Sequence, residues 1–289
     1  MDLGYLRAHP QHLPAFLTHQ RIRETPVSGG SICAAQRLTL DDGVSVFAKS
    51  LPGAAPDFFA SEAAGLCWLR EADAVPVPEI LAELPDLLAL EWVEQGRPGA
   101  AAAERFGRDL AALHRAGADR FGAAWPGYIG RLRVDNTLSD GPWAQWFAAT
   151  RLVPFLRESA DRGALSAADV ALVEQALSRI DEYGGNEPPA RVHGDLWHGN
   201  LLWSGDGRVW LVDPSAHGGH RESDLAFLSL FSAPPYLERI MAAYHEAWPL
   251  ADGWRDRLPV HQLYPALVHT AHFGSSYRDV VMSLAHRLT

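Results

Sequence analysis

The sequence predicts an α+β fold in two lobes, a small antiparallel sheet within residues 1–93 and a larger, mostly helical lobe over residues 94–289. Three observations carry this. Residues 36–49 hold two alternating runs on either side of a tight Asp41-Asp42-Gly43 turn, the pattern of a strand pair. Leu87 to Leu90 runs apolar up to Glu91, then gives way to a polar, Gly/Pro-bearing connector through Pro98-Gly99, a shift of the kind that separates domains. Beyond it, apolar residues return at three- and four-residue spacing in one segment after another, the helical period.

Residues 1–26 read as a polar, partly helical lead-in. Val27 to Cys33 is a glycine-bearing turn, followed by one strand through Gln36 to Leu40 and a second from Val44 to Lys49. Asp57 to Ala72 reads as a helix, because Phe58, Phe59, Glu62, Leu66 and Leu69 fall on one face. That puts the Glu62 carboxylate on a largely apolar stripe, where it is costly without a partner, and Lys49 is the natural one. Val75-Pro76-Val77-Pro78 breaks the chain, since proline removes backbone donors. Two more strands follow, Ile80 to Leu84 and Leu87 to Val93.

The second lobe begins with a helix from about Ala100 to Ala116, with Phe106, Leu110, Leu113 and His114 on one face and His114 reading as a core residue. Trp125 to Asp140 reads as a long irregular insertion. Helices are expected over Trp143–Leu156, Ala167–Tyr183, Asp224–Phe231, Leu237–Ala247 and about Val260–Leu288. Between them, Leu201–Trp203 and Val209–Val212 flank the polar turn Ser204 to Arg208, a hairpin signal. No internal repeat is present.

Composition narrows the function. With 25 basic against 35 acidic residues, the net charge of −10 argues against nucleic acid or anionic membrane as a partner. There is no apolar run long enough to cross a bilayer and no signal-peptide pattern at the N-terminus. Two cysteines make no disulfide framework, which suits a reducing cytoplasm. Of the 25 basic residues a single one, Lys49, is lysine. A chain so biased towards arginine keeps one compact ammonium where a planar fork would not serve.

The chemistry concentrates between Arg191 and Leu225. Phosphoryl transfer needs a group that orients and deprotonates the attacking hydroxyl, and oxygen ligands that hold magnesium on a triphosphate. In protein kinases these are an Asp, an Asn five residues later and a second Asp after a short hairpin. Here Asp195 is followed five residues on by Asn200, and Asp213 ends the hairpin. The alternative is an ordinary hairpin with solvated polar ends. Gly29, Gly30 and Ser31, followed by a strand ending in Lys49, fit a phosphate-covering loop and its lysine. Glu91, Trp92 and Val93, at the connector, are the candidates for holding adenine. Cys33, just behind the glycines, is either a partly exposed thiol beside cationic groups that favour its thiolate or a buried, inert thiol in a strand.

Taken together these residues resemble the fructosamine kinase (ketosamine-3-kinase) family. The matching pieces are His193-Gly194-Asp195-Leu196-Trp197 with Gly199-Asn200, Asp213-Pro214, and Gly219-His220-Arg221-Glu222 with Asp224-Leu225-Ala226. Val46 to Lys49, Asn136 with Trp143 and Arg151-Leu152, Ala243-Tyr244, and the tail from Gln262 through Tyr277 also agree. The resemblance covers nearly the whole chain. It implies a bilobal, protein-kinase-like fold with residues 1–93 as the nucleotide-binding lobe and 94–289 as the catalytic and substrate lobe.

The activity implied is ATP- and Mg2+-dependent phosphorylation of the sugar 3-hydroxyl of a protein-bound or small ketosamine. The phosphorylated adduct is unstable, so the family acts in deglycation. Residue by residue, Asp195 would be the base, Asn200 and Asp213 the magnesium ligands, Lys49 the phosphate contact and Glu62 its partner. Trp197, His198, Asn136, His217, His220 and Glu222 are candidates on the acceptor side, with Trp197 able to stack on a sugar. A single chain acting as a monomer is expected.

Departures from the family pattern cluster on that acceptor side. His198 replaces a usual Ser, Ser215 a usual Ala, Leu230 to Pro235 a Gly-Gly-Phe pattern, and Arg133 to Asn136 a Pro-Gln-x-Asn one. They leave open an aminoglycoside or choline-type kinase. A catalytically dead nucleotide sensor is a rival of another class, opposed by the joint presence of Lys49, Asp195, Asn200 and Asp213. A zinc site of His193, His198, His217 and His220 has neither cysteine nor helical i, i+4 spacing behind it.

Overall fold

The computed structural model describes residues 5, 8–12, 23–27, 32–39, 43–183 and 187–289. Its first lobe is built on one five-stranded antiparallel sheet: β1 (Arg23–Pro26), β2 (Ala34–Thr39), β3 (Ser45–Ser50), then, after helix α1 (Phe58–Glu71), β4 (Ile80–Leu84) and β5 (Leu87–Glu91). The strand order is β1-β2-β3-β5-β4. β1 falls in the stretch read as partly helical. Its four residues are all exposed and carry no apolar alternation, so only pairing with β2 makes it a strand.

Along β3 the side chains alternate between faces. Val46 and Ala48 join Leu38, Leu81, Leu87 and Ala89 in a small core on one face of the sheet. Phe47 and Lys49 therefore point the other way, towards the interlobe cleft. Helix α1 packs on that side, burying Phe59, Leu66 and Leu69. It approaches the Pro214–Ala216 segment so closely at Gly65 that an added Cβ would lie 3.2 Å from Ala216 Cβ. This contact carries Glu62, one turn earlier, over the end of β3.

The connector after β5 is pinned to the second lobe, with Gly96 N donating to Trp203 O at 2.7 Å and Gly205 N to Glu94 O at 3.1 Å. Helix α2 (Ala100–Arg115) follows and packs on a later helix, Leu237–Ala247. The expected irregular insertion contains a hairpin instead, β6 (Gly127–Ile129) and β7 (Leu132–Val134), turning at Gly130. Its strands, Gly-Tyr-Ile and Leu-Arg-Val, are not the unbroken apolar runs that marked Leu201–Trp203 and Val209–Val212.

The helix expected over Trp143–Leu156 is three pieces: α3 (Trp143–Phe147), a π-helical turn (Ala148–Leu152) and α4 (Val153–Asp161). Pro154 stands in the first turn of α4, where its missing N–H is tolerated but an uninterrupted helix is not. Helix α5 (Ala167–Leu177) opens on a Ser166/Asp169 capping box and closes before a short 3-10 turn.

Strands β8 (Ala190–Val192) and β11 (His217–Gly219) pair with each other, and between them lies the predicted hairpin, β9 (Leu201–Trp203) and β10 (Val209–Leu211). Helices α6 (Arg221–Leu230), α7 (Leu237–Ala247), α8 (Trp254–Phe273) and α9 (Arg278–Leu288) complete the lobe. The last two were expected as one helix. Gly274, at φ +80° and ψ −159°, ends α8 in an extended positive-φ conformation that essentially only glycine adopts. Among the described residues no helix is long and apolar enough to cross a membrane.

Candidate active site

The loop that carries Asp195 is held by one buried carboxylate. Asp224, fully buried in the first turn of α6, accepts from His193 N at 2.7 Å and Gly194 N at 2.9 Å. It also meets His114 Nε2 at 3.0 Å, while His114 Nδ1 meets Tyr244 Oη at 2.8 Å. His114 is thus a satisfied core residue, as its helix face predicts. Burial works against the Asp224 carboxylate, and these donors and charges more than offset it, so its pKa is lowered.

Gly194 takes φ +81°, and a Cβ there would fall 2.1 Å from Ser215 O. Only glycine meets both conditions. Gly194→Ala should therefore destabilise the fold by about 1–3 kcal/mol and displace Asp195. A urea melt beside a turnover assay checks this, and a wild-type midpoint with wild-type turnover would refute it.

Asp213 is fixed from the other side. His193 Nε2 meets Val212 O at 2.9 Å, and Ser215 N donates to His193 O at 3.0 Å. Between these anchors Asp213 adopts φ +53°, a left-handed corner that Asp tolerates better than most residues. Asn200 Nδ2 ties the two acids together, donating to Asp195 O at 2.8 Å, Asp195 Oδ2 at 3.3 Å and Asp213 O at 3.4 Å. Among the described residues its Oδ1 takes no hydrogen bond. Lys49 Nζ binds Asp213 Oδ1 at 2.5 Å and forms an ion pair with Glu62 Oε2. The partnership of Lys49 and Glu62 expected from the helix face is present.

These charges shape one another. Burial, then the Asp213 charge, push the Asp195 carboxyl up to about 7, with Asn200 opposing. Burial likewise raises Glu62 to about 7, since the nearby Asp213 charge adds to it and Lys49 offsets only part. For Asp213, half exposed but desolvated by its surroundings, the Lys49 ammonium outweighs that desolvation and holds the pKa low. Burial disfavours the Lys49 ammonium, yet the two carboxylates outweigh it and keep it charged.

All five side chains face a cleft of ≈ 320 Å³ between the lobes, with Glu91, Trp92, Val93 and Trp197 also in its lining. Among the described residues, no backbone group bonds the N–H or C=O of Val93. The Trp197 ring lies over Gly199, where an added Cβ would meet it at 2.3 Å. Gly29, Gly30 and Ser31 lie outside the described residues. Cys33 lines the cleft, but burial pushes its thiol up and Lys49 offsets only part of that, so the thiolate reading is not favoured.

Other acceptor-side candidates have different partners. His198 stacks edge-on against Trp197 at 4.9 Å, outside the cleft lining. Asn136 Oδ1 accepts from Arg151 Nη2 at 2.8 Å, and His217 Nδ1 meets Ser215 O at 2.8 Å. His220 caps α6. Glu222 is fully buried, with Arg257 Nε and Nη2 on its two oxygens at 2.9 and 2.5 Å, and is lowered to about 2, burial being outweighed by His261 and Arg257. Among the described residues the histidines read as a zinc set do not gather. His220, Glu222 and His261 do, but Arg257 already occupies Glu222. A motif shared along a chain does not distinguish residues that line a cleft from those that hold its walls.

Sequence comparison then decides the family. Residues 10–289 match the fructosamine kinase family. The chain belongs to that family. It is 33% identical over 271 residues to a protein of Enterococcus faecium described as a probable ketoamine kinase, covering 90% of this chain and 92% of that one. It is 30% identical over 276 residues to the chloroplastic protein-ribulosamine 3-kinase of Arabidopsis thaliana, covering 89% and 80%. A crystal structure assigned as a fructosamine-3-kinase from Thermobifida fusca superimposes with a TM-score of 0.87 at 47% identity over 92% of each chain. The fold is the bilobal, kinase-like α+β architecture that this family membership implies.

Proposed function

We propose that this fructosamine kinase family member transfers the γ-phosphoryl group of ATP to the sugar 3-hydroxyl of a ketosamine, protein-bound or small, and so acts in deglycation. The observation that carries this is the convergence of Asp195, Asn200, Asp213 and Lys49 on one cleft in a chain of this family. In this reading residues 1–93 bind the nucleotide and 94–289 supply the catalytic and acceptor groups. Adenine bonds the backbone of Val93, which no described backbone group bonds, beside Glu91 and Trp92, and the loop of Gly29, Gly30 and Ser31 covers the phosphates.

Lys49, set by Glu62, contacts the α- and β-phosphates. Asp195 orients the acceptor hydroxyl and takes its proton, and a pKa near 7 suits a base working at neutral pH. The Asn200 Oδ1 and the half-exposed Asp213 carboxylate form an all-oxygen donor set that fits Mg2+. Bound there, the ion would neutralise charge on the β- and γ-phosphates. Trp197 offers its ring to the sugar. The net charge of −10 suits a cationic amine-bearing acceptor rather than nucleic acid or an anionic membrane, and two free cysteines suit the cytoplasm.

The test is ATP consumption against ribulosamines, fructosamines, choline and aminoglycosides, with products followed by phosphorus NMR. A Mg2+-dependent sugar 3-phosphate from a ketosamine is expected. Turnover of choline or an aminoglycoside alone would overturn the substrate and leave the phosphotransfer chemistry standing.

A further inference from the structure

The N-terminal end of α1 is held by the other lobe. Asp57 stands at its N-cap, where an Asp side chain ordinarily accepts from the first free N–H groups of the helix. Here it makes no such bond. Its carboxylate turns instead to the β6–β7 hairpin of the second lobe. Tyr128 Oη donates to Asp57 Oδ1 at 2.6 Å, Arg133 Nη2 to Oδ2 at 2.6 Å, and Arg133 Nη1 to Oδ1 at 3.4 Å. Arg133 Nη1 also donates to Tyr128 Oη at 2.8 Å, so the three side chains close on one another. A two-point pairing of guanidinium and carboxylate fixes direction as well as distance.

Two further contacts seat the same turn of helix. Ser61 Oγ donates to Pro126 O at 2.5 Å, and the Phe58 ring meets that of Tyr128 edge-on, with centroids 5.1 Å apart. Ser61 immediately precedes Glu62, the partner of Lys49. The later turns of α1 are anchored separately, by Gly65 against Ala216 and by Leu66 and Leu69 in the core.

The hairpin itself is braced from behind. His272 Nε2, on α8, meets Ile129 O at 3.1 Å. Gly130, at φ +57°, is so confined that an added Cβ would lie 2.6 Å from His272 Nε2 and 2.9 Å from Ile32 Cδ1. From the turn, Arg131 Nη2 donates to Ile32 O at 3.0 Å and so grips the first lobe a second time. Tyr128, Ile129 and Gly130 line the cleft together with Phe58, Ser61 and Glu62, whereas Asp57 and Arg133 lie outside its lining.

We infer that Tyr128 and Arg133 are positioning residues for phosphotransfer: through Asp57 they fix α1 and so hold Glu62 where it sets the Lys49 ammonium. This rests on the phosphotransferase reading above and deepens it. A shift of about 1 Å at the Asp57 end would carry Glu62 away from Lys49, and misplacement on that scale can cost an enzyme about 10²-fold. Stability is less at stake, because the Arg133 and Asp57 side chains are 60% and 33% exposed and such ion pairs contribute little to folding.

Arg133→Ala opens this clasp without altering the cleft lining. The kcat/KM for Mg–ATP should fall about tenfold, while the KM for the acceptor holds and the melting temperature stays within about 3 °C of wild type. In a Glu62→Gln background the same substitution should cost nothing further, because the group it positions is already lost. Unchanged kcat/KM, or equal losses with and without the Glu62 carboxylate, would overturn the assignment. If wild type phosphorylated no ketosamine, the substrate reading would fall while titration with Mg–ATP still tested the clasp. Weaker binding by Arg133→Ala than by wild type would then uphold it. Equal affinities, or a wild type that binds no Mg–ATP, would overturn it.

Discussion

Asp195→Asn should give a folded, nucleotide-binding protein whose turnover is lower by on the order of 10²–10⁴-fold. The substitution keeps the shape and removes the carboxylate oxygen proposed to receive the acceptor proton. Asn200, Asp213 and Lys49, which the variant retains, should still bind Mg–ATP with nearly unchanged affinity. The pH dependence separates this from a general loss of packing. Only the ionised carboxylate can take a proton, so kcat/KM should rise with pH through about 7, where Asp195 titrates. Glu62 titrates in the same range and remains in the variant, so a residual rate that no longer follows pH assigns the limb to Asp195.

Stability should move the other way. The folded pKa of Asp195 lies above the unfolded carboxyl value of about 3.9, so folding favours the protonated form. That contribution is complete below about pH 4 and is lost as pH rises through about 7. The Asn side chain stays neutral throughout. The variant should therefore melt above wild type at pH 8 and alongside it at pH 4. Isothermal titration with Mg–ATP, a turnover assay and melting at the two pH values decide it, and wild-type turnover would remove Asp195 from the role of base.

The sequence exposed the site better than the lobe that surrounds it. Asp195, Asn200 and Asp213 were legible because their spacing is a local consequence of a hairpin, and hairpins show in alternation and turn residues. Lys49 and Glu62 were legible through a different cue, a lone lysine at a strand end opposite a carboxylate on an apolar helix face. What stayed hidden was set by tertiary contacts. The short strands at Arg23, Gly127, Ala190 and His217 are not unbroken apolar runs, and only pairing defines them. Glu222 looks like a cleft residue until Arg257, 35 positions away, is found on both its oxygens. The Arg151 turn was invisible for a similar reason, because a π-helical turn leaves no compositional mark.

Lys49→Arg should fold, yet lose about 10²-fold or more in kcat/KM for ATP. The ammonium sits 6% exposed, on Asp213 Oδ1 at 2.5 Å and paired with Glu62, so two carboxylates close on a single point. A guanidinium is longer, planar and rigid, and it cannot converge on both from the end of β3. Seating it would push Asp213 out of its left-handed corner, and with it one of the two oxygen donors proposed for Mg2+. Because the charge is kept, the loss should appear in nucleotide binding and turnover more than in stability. Lys49→Met is the contrasting variant: it leaves the Glu62 carboxylate buried and unpaired beside the half-exposed Asp213, at a cost on the order of 3–5 kcal/mol. Denaturant midpoints for both variants, beside turnover at saturating acceptor, separate the two effects. If Lys49→Arg turned over at close to the wild-type rate, Lys49 would be a structural ion-pair residue, and the phosphate contact would have to be sought elsewhere in the cleft.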